Sequence, residues 1–153
     1  MVAAAWAFVT VPIPHARGSA GDEQEIRALI ARYGAAANAR DVPAVVRCYA
    51  PTDAVLLFDI GGPPLRGVAG VTRTWTEFVG EMRTIKLEFR DIEVEVAPGG
   101  GLAFAHFIER ASLVRKAGGP MLVNDSLRTT QIYRKIRGHW LIIHEHKSKS
   151  LSS

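Results

Sequence analysis

Two of the chain's five histidines, His144 and His146, stand two apart in the apolar run Gly-His-Trp-Leu-Ile-Ile-His-Glu-His-Lys-Ser, residues 138–148. On an extended strand this spacing puts both imidazoles on one face with Trp140 and Ile142, and sends Leu141, Ile143, Glu145 and Lys147 to the other. Such a pair suits a metal site, a proton shuttle in a pocket, or plain hydrogen bonding at a sheet end. A metal would need a third ligand, for which His106 and Asp59 are the candidates. The single cysteine, Cys48, and the absence of a His-x-x-x-His pair argue against it, so no metal and no cofactor are expected.

Asp59 ends the apolar run Ala-Val-Leu-Leu-Phe-Asp-Ile. Its neighbours Phe58 and Ile60 would strip it of water and suit it to base work at neutral pH; the bland alternative is an Asp capping the Gly-Gly-Pro-Pro turn. Arg128 lies in Ser-Leu-Arg-Thr-Thr-Gln-Ile-Tyr-Arg and shares a strand face with Ser126, Thr130 and Ile132. Facing inward, it would hold a carboxylate or an enolate, or pair with Asp59 or Glu109; facing outward, it would be solvated. Tyr49, Trp75, Phe78, Phe107 and Trp140 are the aromatic groups that would wall a pocket, although such residues are as often plain core.

The elements that must carry these groups are legible in the periodicity. Ile26, Leu29, Ile30, Tyr33, Ala36 and Ala37 recur at helical spacing, with Asp22 as the expected cap. Asp41 and Pro43 open a second, short helix. Residues 53–60 read as a strand and the Gly-Gly-Pro-Pro stretch as a loop. Val71, Trp75, Phe78, Val79 and Met82 restore the helical period. From Ile85 the period becomes two, with a shift near Asp91 that predicts a bulge. Four strands in antiparallel meander follow. Helices followed by strands make an α+β domain, here helices packed on a strongly bent mixed or antiparallel sheet that encloses a pocket.

A chain of 153 residues is one domain, expected over 21–149 with tails at 1–20 and 150–153. The formal charge is +4, but Lys and Arg are scattered and no basic stripe appears, so nucleic acid is not an expected partner. Residues 2–13 are apolar, yet too short to span a membrane, and no positive charge precedes them. A cytoplasmic protein is expected, with export through residues 1–20 as the alternative reading.

The block Ala31–Asp59, the strand Phe-Ala-His-Phe-Ile-Glu-Arg (104–110) and the ending Tyr133–Ser148 resemble the SnoaL-like branch of the nuclear-transport-factor-2-like superfamily, over residues 22–149. That superfamily contains ketosteroid isomerases, polyketide cyclases, dehydratases and non-catalytic association domains. The resemblance implies a cone-shaped fold and a small, largely apolar, polyketide- or ketone-like ligand handled by general acid–base catalysis without a cofactor. Asp59 would be the base, His144 or His146 the acid or shuttle, and Tyr33 and Arg128 the oxyanion partners. Tyr49, Trp75, Phe78, His106, Phe107, Thr130 and Trp140 would contact the ligand.

Tyr33 after Arg32 matches the tyrosine of ketosteroid isomerases. Their general-base position falls on Phe58, one residue before Asp59, and their protonated acid falls near Thr130. The resemblance therefore does not extend to a steroid Δ-isomerase. Two classes remain: a cofactor-independent cyclase or isomerase, and a non-catalytic ligand-binding or dimerisation module. In either class an outer sheet face of Leu141, Ile143, Val123 and Leu127 is expected to make a homodimer.

Overall fold

A computed structural model describes residues 19–149. The tail expected at 1–20 lies outside the described residues except for Ser19 and Ala20; the tail at 150–153 lies wholly outside them. Helix α1 (Ala20–Asn38) is capped by Ser19, whose Oγ accepts from the Asp22 amide at 3.1 Å, and not by Asp22. Asp22 turns inward instead, because its carboxylate meets three donors there: Lys135 Nζ at 2.6 Å, Trp140 Nε1 at 2.9 Å and Ser19 Oγ at 2.9 Å. This clamp ties the start of α1 to the two last strands. Asp41 caps α2 (Val42–Val46) by accepting from Ala44 N at 2.9 Å, with Pro43 in the first turn as expected.

Strand β1 (Leu56–Phe58) is shorter than the apolar run that predicts it, and β2 (Leu65–Arg66) forms within the expected loop. Helix α3 (Gly67–Glu81) follows, and then the meander β3 (Met82–Val96), β4 (Leu102–Arg115), β5 (Leu122–Ile136) and β6 (His139–Ser148). The six strands form one sheet in the order β2-β1-β6-β5-β4-β3, with β1 parallel to β6 and every other pair antiparallel. The stripe Ile26, Leu29, Ile30 and Tyr33 of α1 is buried in one core with Val71 and Trp75 of α3 and the inward residues of the sheet.

Bulges bend the sheet. The expected one falls at Asp91, which takes φ 54° where the β3–β4 register slips between Arg90 and Glu93. Ile85 and Leu87 point inward before it and Val96 after it. An unexpected one falls at Ile143. On β5 the adjacent residues Ile132 and Tyr133 face His144 and Ile142, so Ile143 has no opposite number. On the other edge of β6 the neighbour also changes here. Ile142 exchanges backbone hydrogen bonds with Cys48 and Ala50 (2.9 Å each), while His144 is paired with Leu56 of β1. The extra residue reverses the facing of everything after it.

Candidate functional site

The inward phase of each central strand is apolar until it reaches one level of the sheet, where it turns polar. On β4 the phase runs Ala103, Ala105, Phe107, Glu109; on β5 it runs Leu127, Thr129, Gln131, Tyr133; on β6, after the bulge, it is Glu145 and Lys147. Register then brings these together. Glu145 lies between Gln131 and Leu57, Lys147 is opposite Thr129, and Glu109 is opposite Leu127. Between this level and α3 lies a cavity of about 320 Å³, lined by Leu57, Phe58, Leu65, Trp75, Phe78, Leu87, Leu113 and Leu127, with Asp59, Glu109, Glu145 and Lys147 as its charged groups.

The last three of these groups form a buried cluster. Lys147 Nζ stands 3.0 Å from Glu109 Oε2, 3.3 Å from Glu109 Oε1 and 3.7 Å from Glu145 Oε1. Thr129 Oγ1 donates to Glu109 Oε2 at 3.5 Å. The Tyr49 hydroxyl donates to Glu145 Oε2 at 3.2 Å, and the Gln131 amide donates to the same oxygen. Tyr133 in turn donates to Gln131 Oε1 at 2.5 Å.

Burial alone would favour a neutral lysine, but Glu109 and Glu145 overcome it and hold the Lys147 pKa well above its ordinary 10.5. The two carboxylates thus favour the ammonium form of Lys147. Glu145 is displaced the other way. Burial raises its pKa above the ordinary 4.5, opposed by the Lys147 charge and the Gln131 hydrogen bond and assisted by the charges of Glu109 and Asp59. An ammonium thus stands beside a carboxyl group disposed to hold a proton, in largely apolar surroundings. This arrangement can stabilise a developing oxyanion and move a proton.

The expectation that His144 and His146 enter the cavity is overturned, and the Ile143 bulge is the reason. Both lie on the outer face, edge-on to the Phe58 ring at 5.4 and 5.9 Å between centroids. His106 and Thr130 are exposed there too. The register aligns Glu93, His106, Thr130 and His146 in one row across the sheet, ending at Phe58 on the rim of the cavity, so several expected site residues do assemble, but His106, Thr130 and His146 do so on the side away from the cavity. His106 Nε2 pairs with Glu93 Oε2 at 3.0 Å. Arg128 is also exposed on this face, opposite Ile108 and Ser148, and pairs with neither Asp59 nor Glu109. Of the outer residues expected at a homodimer face, Leu127 lines the cavity instead, Leu141 and Ile143 are half-buried against the core, and only Val123 is exposed.

Asp59 does line the cavity, at its exposed rim, where its Oδ1 accepts from the Ile60 amide at 2.8 Å. It is not buried between its apolar neighbours, because β1 ends one residue earlier. Trp75 and Phe78 also line the cavity. Tyr49 reaches it through Glu145. Phe107 is buried against Phe89, and Trp140 is taken up by the Asp22 clamp. Tyr33 is fully buried, its ring 5.9 Å from Lys147 Nζ, and its hydroxyl has no hydrogen-bond partner among the described residues.

Glu145, Lys147, Gln131 and Tyr133 are absent from the site residues expected from sequence, and Glu109 entered only as a possible partner of Arg128. Glu109 had a readable signal, since it is in phase with Ala103, Ala105 and Phe107. Glu145 and Lys147 had none, because strict alternation puts them outside. Among the described residues no three His, Cys, Asp or Glu side chains cluster as a metal site, and no helix is long and apolar enough to cross a membrane.

Residues 26–152 match the family model of the SnoaL-like domain, and the chain belongs to this family within the nuclear-transport-factor-2-like fold. A nuclear-transport-factor-2-like protein of unknown function from Pseudomonas putida KT2440 is 32% identical, with 88% of this chain and 91% of that one covered and a TM-score of 0.71. A ketosteroid isomerase-like protein from Erwinia carotovora atroseptica SCRI1043 shares the fold at 21% identity, covering 88% of this chain and 100% of its own, with a TM-score of 0.72. A candidate scytalone dehydratase from Novosphingobium aromaticivorans DSM 12444 does so at 11% identity, covering 86% and 85%, with a TM-score of 0.76. No curated protein matches the chain.

Proposed function

We propose that the protein is a cofactor-independent isomerase or cyclase acting on a small, largely apolar ketone- or polyketide-like molecule. The observation that carries this reading is the buried Lys147–Glu109–Glu145 cluster in an otherwise largely apolar cavity. A carbonyl oxygen of the ligand sits against Lys147 Nζ and the Glu145 carboxyl. Asp59, at the rim, takes a proton from the carbon next to that carbonyl. Negative charge passes to the oxygen, where the ammonium stabilises it; then either Asp59 returns the proton at another carbon of the conjugated system, or the enolate carbon adds to a second carbonyl carbon of the same molecule, whose C=O π bond breaks and whose oxygen takes the proton from Asp59. Glu109 neutralises Lys147 and aims it. Relatives described as an isomerase-like protein and a candidate dehydratase accord with enolate chemistry on this fold.

The test is deuterium uptake. Cyclic and aromatic ketones incubated with the protein in heavy water are followed by proton NMR for loss of the signal next to the carbonyl. Uptake above background by the wild type, lost in Asp59→Asn and Glu145→Gln variants that keep the native circular dichroism spectrum, is the expected result. Equal uptake by wild type and both variants sinks the reading.

One observation favours a second reading, an association module. The outer sheet face leaves Phe104 exposed at 37%, and further along β4 it carries ion pairs of Arg110 with Glu88 and Asp125. A mixed-charge face of this kind is suited to self-pairing, and the occupant proposed for it is a second copy of the chain. Sedimentation should give a dimer that Phe104→Glu dissociates. A monomeric wild type removes this second reading.

A further inference from the structure

The two oxygens of the Glu145 carboxyl are equivalent until their surroundings differ, and here they do. Oε2 accepts from the Tyr49 hydroxyl and from the Gln131 amide. Oε1 accepts no hydrogen bond among the described residues and lies on the Lys147 side, 3.7 Å from Nζ. A proton on Oε2 would collide with two donors, whereas a proton on Oε1 meets none closer than that ammonium. The asymmetry depends on the direction of the Gln131 amide. A side-chain amide offers donors at one end and an acceptor at the other, and the two ends are almost the same size. Reversed, it would present its oxygen to Glu145 and invite the proton onto Oε2.

Gln131 is fully buried, and the group that meets its oxygen is the hydroxyl of Tyr133, itself fully buried and donating at 2.5 Å. Burial raises the Tyr133 pKa, so the phenol keeps its proton. That hydroxyl has no other partner among the described residues. Turning the amide round would leave a buried O–H without an acceptor, which proteins avoid.

We propose that Tyr133 acts through Gln131 as a positioning residue: its hydroxyl orients the amide, keeps Glu145 Oε2 as a standing acceptor and so leaves the exchangeable proton on Oε1, facing Lys147 and the ligand. This rests on the reading of Glu145 as the carboxyl that, with Lys147, meets the ligand's carbonyl oxygen. The other titratable groups that bear on Glu145 come from every element around it: Lys147 on β6, Glu109 on β4, Asp59 after β1, Tyr49 after α2 and Tyr33 on α1. Helix α3 brings only Thr74, Trp75 and Phe78 to the cavity wall, none of them titratable in this range. Tyr133→Phe leaves all of these in place.

The experiment is an infrared pH titration of the protonated carboxyl stretch of the full chain without ligand. The Glu145 band is identified by its loss in Glu145→Gln. Donation to a carboxylate favours the ionised form. Tyr133→Phe should therefore move the midpoint to higher pH, by about tenfold in acid constant, and Gln131→Leu at least as far. Joined to Gln131→Leu, Tyr133→Phe should add nothing, whereas Tyr49→Phe should add its own shift, since Tyr49 reaches Oε2 directly.

An unmoved midpoint in Tyr133→Phe overturns the assignment. So does a double variant that exceeds Gln131→Leu alone, or the absence of any Glu145 band. Should Tyr133→Phe fail to fold, the side-chain amide signal of Gln131 in the wild type must follow the Glu145 titration in nitrogen-edited NMR; a signal that ignores it also overturns the proposal. Ketone turnover plays no part in these readouts. A shift as expected without deuterium uptake would leave Tyr133 in its role and remove the isomerase reading.

Discussion

The two sides of β6 hold titratable groups one residue apart in sequence and opposite in environment. Outside, His144 and His146 rest against Phe58, half-buried and exposed respectively. Inside, Glu145 and Lys147 are sealed with Glu109, and their proton affinities are displaced from the ordinary range. The imidazoles are the more usual acid–base residues at neutral pH. What distinguishes the inner pair is desolvation, which makes each charge matter to its neighbours and keeps water from competing for a ligand's polar atom.

The strongest way to break the inner side is Lys147→Met. It leaves the Glu109 carboxylate buried without a counter-charge, and should cost about 3–5 kcal/mol in urea unfolding. Adding Glu109→Leu should recover most of that, because removing a whole buried pair is far less harmful than removing one member. A single variant as stable as the wild type would mean the cluster is open to water.

Glu145→Gln keeps the volume and an acceptor for Tyr49 and Gln131, so stability should change by about 1 kcal/mol or less. Proton transfer in the deuterium assay should fall about 10²–10⁴-fold.

The pH dependence of stability separates the cavity from the Asp22 clamp. Lys135, Trp140 and Ser19 hold the Asp22 carboxyl down to about 2 from its ordinary 3.8. Its stabilising effect is present above 3.8 and lost as pH falls toward 2. Glu145 has the opposite sign. Its contribution is complete below the ordinary 4.5 and is lost as pH rises through its elevated folded value. Thermal melts against pH should therefore show an acid limb that Asp22→Asn removes and a decline at higher pH that Glu145→Gln removes.

The smallest effect belongs to the outer side. His144→Ala and His146→Ala should each change stability by about 0.5 kcal/mol or less and leave deuterium uptake unaltered. Loss of uptake in either would place chemistry on the outer face and undo the contrast.

The α+β order, the helical stripe from Ile26 to Ala37 and the bulge at Asp91 were all readable, because burial imprints a period on the residue types of long elements. Trp75 and Phe78 were readable as cavity residues for the same reason, whereas Asp59 reaches the rim without the burial expected of it. The polar floor was not. Strict alternation from Trp140 through Ile142 leads to His144, and no residue type near Ile143 marks the interruption.

By its own residue pattern, then, this chain determined its class of fold, its helix faces and the meander, since each follows from local periodicity and capping. Which side of the last strand meets the cavity was decided only when β6 exchanged the 48–50 segment for β1 as its neighbour and left Ile143 unpaired. A side chain's facing on a strand depends on the register with its partners, and one unpaired residue is enough to reverse it.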